Sequence, residues 1–290
     1  MPLVAWTDGS RTDDEGWRGV GDRVGAVTEV RRRGAGAIAA FVGIGALAGF
    51  LSGLFGVGGG TVIVPLLVLL VGFTQRLGAG TSSAAIIPTA IVGVISYAVN
   101  GDVDWIAALL IAAGAVFGAQ IGVRMLHALS EPVLRWIFVG FLVVVMISLF
   151  LIVPSRDAVL EIDVWSGAGL VVLGLVTGIV SGLIGVGGGI VVVPVLMLLF
   201  GMSDLVAKGT SLLMMIPTSL SGTVANIRKH NVDVAAAVGV GLAACATAPL
   251  GTWVANLVDP QVGNILFAVF LVVIAAQMAQ KAIRAARAKG

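Results

Sequence analysis

The stretch Gly53-Leu54-Phe55-Gly56-Val57-Gly58-Gly59-Gly60, closed by Pro65, occurs twice in this chain. It returns as Gly182-Leu183-Ile184-Gly185-Val186-Gly187-Gly188-Gly189, closed by Pro194, at an offset of 129 residues. The same offset relates Gly80-Thr81-Ser82 to Gly209-Thr210-Ser211, Pro88-Thr89 to Pro217-Thr218 and Val103-Asp104 to Val232-Asp233. About half the positions from Gly49 to Asp104 match their partners. The chain is a duplicated unit, and each copy carries a glycine cluster inside an apolar run. In a membrane protein that combination points to a binding site between two repeats.

Composition makes this a membrane protein. Of 290 residues, 58% are apolar and 11% charged, with a mean hydropathy of +1.09. Soluble domains carry about 25% charged residues. Several apolar segments reach the roughly 20 residues that span hydrocarbon. The net charge of +2 is too small and too clustered to suggest a nucleic-acid partner. The single cysteine, Cys245, excludes an internal disulfide and a cysteine-based metal cluster. No cofactor or metal site, and no nucleophile–base pair of an enzyme, is visible.

The expected fold is an all-α integral membrane protein of two homologous repeats, with short broken helices at the glycine motifs. A polar cytoplasmic tail covers 1–33, the repeats 34–155 and 156–285, and a basic tail 286–290. Ten apolar segments can be drawn: 35–55, 60–73, 79–99, 105–126 and 133–153, then 166–184, 189–202, 208–227, 234–257 and 261–280. The second segment of each half is shorter than the bilayer core. Either it is re-entrant, leaving eight crossings and parallel repeats, or it crosses, giving ten crossings and inverted repeats. With ten crossings and both termini cytoplasmic, 15 of the 17 basic residues lie inside, with only Arg156 and Lys208 outside. The positive-inside rule therefore favours inversion. A multi-pass membrane protein follows, with the lipid bilayer as its obligate partner and a homo-oligomer compatible with its apolar surface.

Gly58, Gly59 and Gly60, with Gly187, Gly188 and Gly189, resist regular helix and leave backbone N–H groups bare. An apolar run follows each cluster, so each marks a helix N-terminus, a natural seat for an anion. Gly49/Gly53 and Gly178/Gly182 suit close helix packing instead. Thr81, Ser82, Thr210 and Ser211 are expected to cap the third segment of each half and to offer hydroxyls to an anionic oxygen. Pro88 and Pro217 are expected to kink that segment. Lys208, on the outer side, is a candidate for drawing an anion in, while Arg76 suits a headgroup anchor. His127 and His230 lie in basic loops without metal-ligand spacing. Carboxylates are absent from the segments apart from Asp204 at a boundary, which argues against a cation carrier. Together these residues suggest a small anionic substrate.

The doubled Gly-x-Gly-Gly-Gly…Pro pattern with Gly-Thr-Ser and Pro88 resembles the sulfite exporter TauE/SafE family of membrane permeases. The resemblance covers essentially Ala35 to Ala285. It implies a transporter of the cytoplasmic membrane for small sulfur-containing anions such as sulfite, thiosulfate or organosulfonates, often outward, and commonly with seven or eight spans. An uncoupled anion channel, or a carrier of another small organic anion, would use the same donors.

Overall fold

In a computed structural model of the chain, residues 35–151 and 163–287 are described. The polar tail 1–33, Arg156 and Lys289 lie outside them. The chain divides into Met1–Ala39 and Ala40–Gly290, and the first unit is described only over 35–39.

Among the described residues there are helices and no strands. The first repeat holds α1 (Ala35–Phe55), α2 (Gly60–Leu66, prolonged by a π-helical turn Leu67–Val71), α3 (Gln75–Ala98), α4 (Trp105–Ala128) and α5 (Glu131–Leu151). The second holds α6 (Val164–Ile184), α7 (Gly189–Leu199), α8 (Asp204–Ile227), α9 (Val234–Leu257) and α10 (Pro260–Arg287). Helices α1, α3, α4, α6 and α9 are long and apolar enough to cross a membrane. Helix α8 has the same 24-residue length as α3 and carries Asp204 and Lys208 at its start.

Glycine faces lock the repeats together. A Cβ on Gly45, Gly49 or Gly53 of α1 would strike the backbone of Val240, Ala244 or Ala248 in α9. The equivalents Gly174, Gly178 and Gly182 of α6 meet Ile111, Ala115 and Ala119 of α4 in the same way. Each repeat thus lays its first helix on the fourth helix of the other, and the packing assigned to Gly49, Gly53, Gly178 and Gly182 is observed. Bare backbone is needed for so close an approach.

These contacts also decide the topology. Gly80 abuts Asn226 and Asn231, Gly93 abuts Leu212, and Gly209 abuts Tyr97 and Asp102, so α3 and α8 run antiparallel. Gly78 near the start of α3 lies against Val64 and Val68 of α2, which therefore returns to the face where α1 began. Arg76 at the start of α3 donates to the carbonyls of Leu126 and Leu129 at the end of α4. Each repeat therefore passes back and forth five times, and the second is inverted. The short pass is real: α2 with its π-turn covers Gly60–Val71, roughly 18 Å at 1.5 Å per residue. We call the end carrying Arg76, Arg124, Arg228 and Lys229 the Arg76 face. The contact register sets Pro88 level with Pro217 at the crossing of α3 and α8, and both helices continue through their proline.

Candidate functional site

Each glycine cluster ends a long helix and starts a short one. Gly56, Gly58 and Gly59 take φ of 68°, 74° and 74°, and Gly185, Gly187 and Gly188 take 78°, 84° and 87°. Left-handed backbone at three of four positions is what glycine permits without strain. Helices α2 and α7 begin directly after Gly59 and Gly188, and no side chain caps either start. Both ends are buried. Val62 and Val191 donate their N–H to the carbonyls of Gly59 and Gly188, which leaves the first two N–H groups of each helix without an intrahelical acceptor at the positive end of the helix dipole.

The two clusters meet. A Cβ on Gly60 would press on Val186, and one on Gly189 would lie 2.9 Å from the carbonyl oxygen of Gly56. Met215 stands between them: a Cβ on either Gly58 or Gly187 would collide with its Cε, and Ile86 Cγ2 lies within 3.3 and 3.5 Å of those two positions. Ile86 and Met215 are themselves a repeat-related pair, so the pseudo-twofold axis passes between them, where the two clusters meet.

The Gly-Thr-Ser motifs cross-link the repeats here. Ser82 Oγ donates to the carbonyl of Gly185 at 2.8 Å, and Ser211 Oγ donates to that of Gly56 at 2.9 Å. Thr81 Oγ1 accepts from the N–H of Asp233 at 3.0 Å, and Thr210 Oγ1 accepts from that of Asp104 at 2.9 Å. These residues do not cap their helices. Thr74 and Ser203 do so, accepting from Leu77 N at 3.2 Å and Val206 N at 3.4 Å. The polar first turn of α3 and α8 lies outside the apolar run, which moved the expected start inward. Asp104 and Asp233 instead cap α4 and α9 through Ala107 N and Ala236 N.

Lys208 is not a free cation at an entrance. Its Nζ donates to Asp204 Oδ2 at 3.1 Å, with the carboxylate side chain 1% exposed. The spacing of four residues on one helix face was the sign of that pairing. Arg76 holds the end of α4 rather than a headgroup. At the Arg76 face a cavity of about 680 Å³ opens between α4 and α8, with Arg124, Arg228, Lys229 and His127 at its mouth and Pro217 in its wall. Asn231 lies 3.3 Å from the His127 ring. Sequence reasoning also passed over Tyr97, whose hydroxyl donates to Gly53 O at 2.7 Å in the buried interior.

Two inverted repeats locked through glycine faces and joined at paired helix starts define a multi-pass membrane protein built like an inverted-repeat transporter. The family model for the sulfite exporter TauE/SafE matches residues 12–149 and 170–289, and the chain belongs to that family. It is 38% identical over 81 residues to the probable membrane transporter protein YunE of Bacillus subtilis, an alignment spanning 28% of this chain and only 30% of YunE. It is 31% identical over 181 residues to a probable membrane transporter protein of Xylella fastidiosa, covering 59% of this chain and 67% of that one. With the probable membrane transporter protein YdhB of Bacillus subtilis it shares 26% over 215 residues, 73% of this chain and 87% of that one. No solved structure matches the chain.

Proposed function

We propose that the protein is a secondary transporter, directed outward, of small sulfur-containing anions such as sulfite, thiosulfate or organosulfonates. The observation that carries this reading is the meeting of two buried, uncapped helix starts, one from each inverted repeat, at the Ile86–Met215 pair. Backbone N–H groups at Gly58, Gly59 and Gly60 and at Gly187, Gly188 and Gly189 supply donors. The hydroxyls of Thr81, Ser82, Thr210 and Ser211 stand beside them, and each can turn to an anionic oxygen when the repeats part. Met215 occupies the space that the anion takes. Its unbranched thioether can swing aside at little cost. Rocking of one repeat on the other then exposes the centre to each face in turn.

The Arg76 face is the cytoplasmic one in this reading, because it gathers Arg76, Arg124, Arg228 and Lys229. Both termini then lie in the cytoplasm, and the basic cavity mouth concentrates anions before entry. An uncoupled anion channel is the competing reading. One observation favours it: Asp204, the only carboxylate within α3 and α8, is paired with Lys208, so neither helix offers a second carboxylate for a proton relay.

Flux of labelled sulfite, thiosulfate and a sulfonate into proteoliposomes, with and without a pH gradient, separates the two. Saturable flux that follows the gradient supports the carrier. Fast conductance indifferent to it supports the channel.

A further inference from the structure

Helix α8 turns one stripe toward α3 and the glycine loops. Lys208 lies on Gly56, Leu212 on Gly93, Met215 on Gly58 and Gly187, and Asn226 on Gly80. Ser219 and Thr223 fall on the same stripe by their three- and four-residue spacing. The repeat-related stripe of α3 is Ala79, Ser83, Ile86, Ala90, Val94 and Tyr97. Because the helices are antiparallel, Ser219, Thr223 and Asn226 line the half of the seam toward the Arg76 face, opposite Ser83 and Ala79. The other half is filled by Tyr97, Val94, Leu212 and Met215.

The polar half is not satisfied by the protein. Ser219 Oγ, Thr223 Oγ1 and Asn226 Oδ1 make no hydrogen bond, although their residues are 1%, 7% and 1% exposed. Neighbouring hydroxyls on the same helices return their proton to the preceding turn: Thr218 to Met214 O at 2.8 Å, Thr89 to Ala85 O at 3.0 Å. Asn226 commits its amide nitrogen to Gly222 O at 3.0 Å, so its oxygen is left as an acceptor. Leaving such groups unpaired in the interior is costly, and native interiors do so rarely. The fold does not demand them. At the repeat-related positions it uses Ala90, Val94 and Tyr97, two apolar residues and a tyrosine whose hydroxyl is bonded to Gly53 O.

We infer that Ser219, Thr223 and Asn226 form the polar half of the substrate's path, a hydrogen-bonding site for a small oxyanion with its water. The two hydroxyls donate to the anion's oxygens; Asn226 Oδ1 accepts from a water or from an acidic O–H. The bulky half closed by Tyr97 and Leu212 seals the opposite side, with the barrier at Ile86 and Met215. The identity of the solute rests on the transport reading; the position of the path rests on the geometry alone.

The test uses full-length protein carrying Cys245→Ala, with single cysteines at Ser219, Thr223 or Asn226, and at Ala90 or Val94 as their repeat-related controls. A membrane-impermeant sulfonate-bearing thiol reagent is applied to the Arg76 face of oriented vesicles. The first set is expected to react at least tenfold faster than the second. Ser219→Cys and Thr223→Cys are small changes and suffice if Asn226→Cys does not fold. Equal rates in both sets overturn the path, as does silence at 219 and 223 while Arg228→Cys at the mouth reacts. Flux without reaction at 219 and 223 would remove the path and leave the transport reading standing; reaction without flux of any anion would do the reverse.

Discussion

Ser82 hands its hydroxyl proton to the carbonyl of Gly185, 103 residues away and in the other repeat, at 2.8 Å. Ser211 returns the same bond to Gly56 at 2.9 Å. Each glycine cluster is thereby tethered to the third helix of the opposite repeat, so the two helix starts move only as the repeats themselves move. Replacing either serine by alanine strands a buried carbonyl, at a cost of about 1–3 kcal/mol. Equilibrium unfolding in detergent is expected to show that loss for Ser82→Ala and for Ser211→Ala alike. A loss in only one of them would contradict the two-fold equivalence.

Gly58 and Gly187 are constrained twice over, by positive φ and by the Cε of Met215. Alanine at either site must displace Met215 and adopt left-handed backbone, and should lower the yield of folded protein. In a Met215→Ala background the collision with Met215 disappears, leaving the left-handed strain of about 1–2 kcal/mol and a close contact with Ile86. Folded yield by size-exclusion chromatography is therefore expected to recover in Gly58→Ala/Met215→Ala. No recovery would mean that Met215 is not the obstacle.

The buried Lys208–Asp204 pair has Ala79 and Gln75 as its repeat-related residues. Removing one partner leaves an uncompensated charge, and such losses run to about 3–5 kcal/mol. Lys208→Ala alone should be strongly destabilised, whereas Asp204→Gln with Lys208→Ala, which copies the first repeat, should recover most of the stability. Thermal melting of the three proteins checks this.

At the start of α6, Asp163 accepts from the backbone and side chain of Ser166, and these bonds hold its carboxyl below the usual carboxylate range. A lowered folded-state value contributes stability above the unfolded pKa, and that stability is lost as the pH falls through the folded one. The melting temperature of the native chain is expected to fall more between neutral pH and pH about 3 than that of Asp163→Asn, with a small difference because the site is exposed. A larger fall in the variant would reverse the assigned sign.

Much of the fold was legible because the chain states it twice. The ten apolar segments correspond to ten helices among the described residues, and the basic-residue count pointed to the inversion that the antiparallel contacts of α3 and α8 display. The short second segments, read as either re-entrant or crossing, each run back toward the face where their own repeat began: α2 to the Arg76 face and α7 to the opposite one. Hydropathy misplaced the starts of α3 and α8, because the turns Gln75–Arg76 and Asp204–Lys208 are polar yet helical. Thr81 and Ser82 consequently looked like caps, while their actual partners, Asp233 and Gly185, depend on how the repeats interlock, which no local pattern records. The position of Met215 between the glycine clusters and the unpaired polar face of α8 likewise depend on contacts between the repeats, which the 129-residue offset does not record.

The central claim is that the paired glycine-capped helix starts hold a small sulfur oxyanion during transport. Flux of labelled sulfite and thiosulfate into proteoliposomes tests it most directly, comparing the native chain with Gly59→Val/Gly188→Val in protein that still inserts and elutes as a folded species. The account predicts saturable flux by the native chain and loss of at least tenfold in the variant. Undiminished flux in the variant, or no flux of any sulfur anion by the native chain, would contradict it.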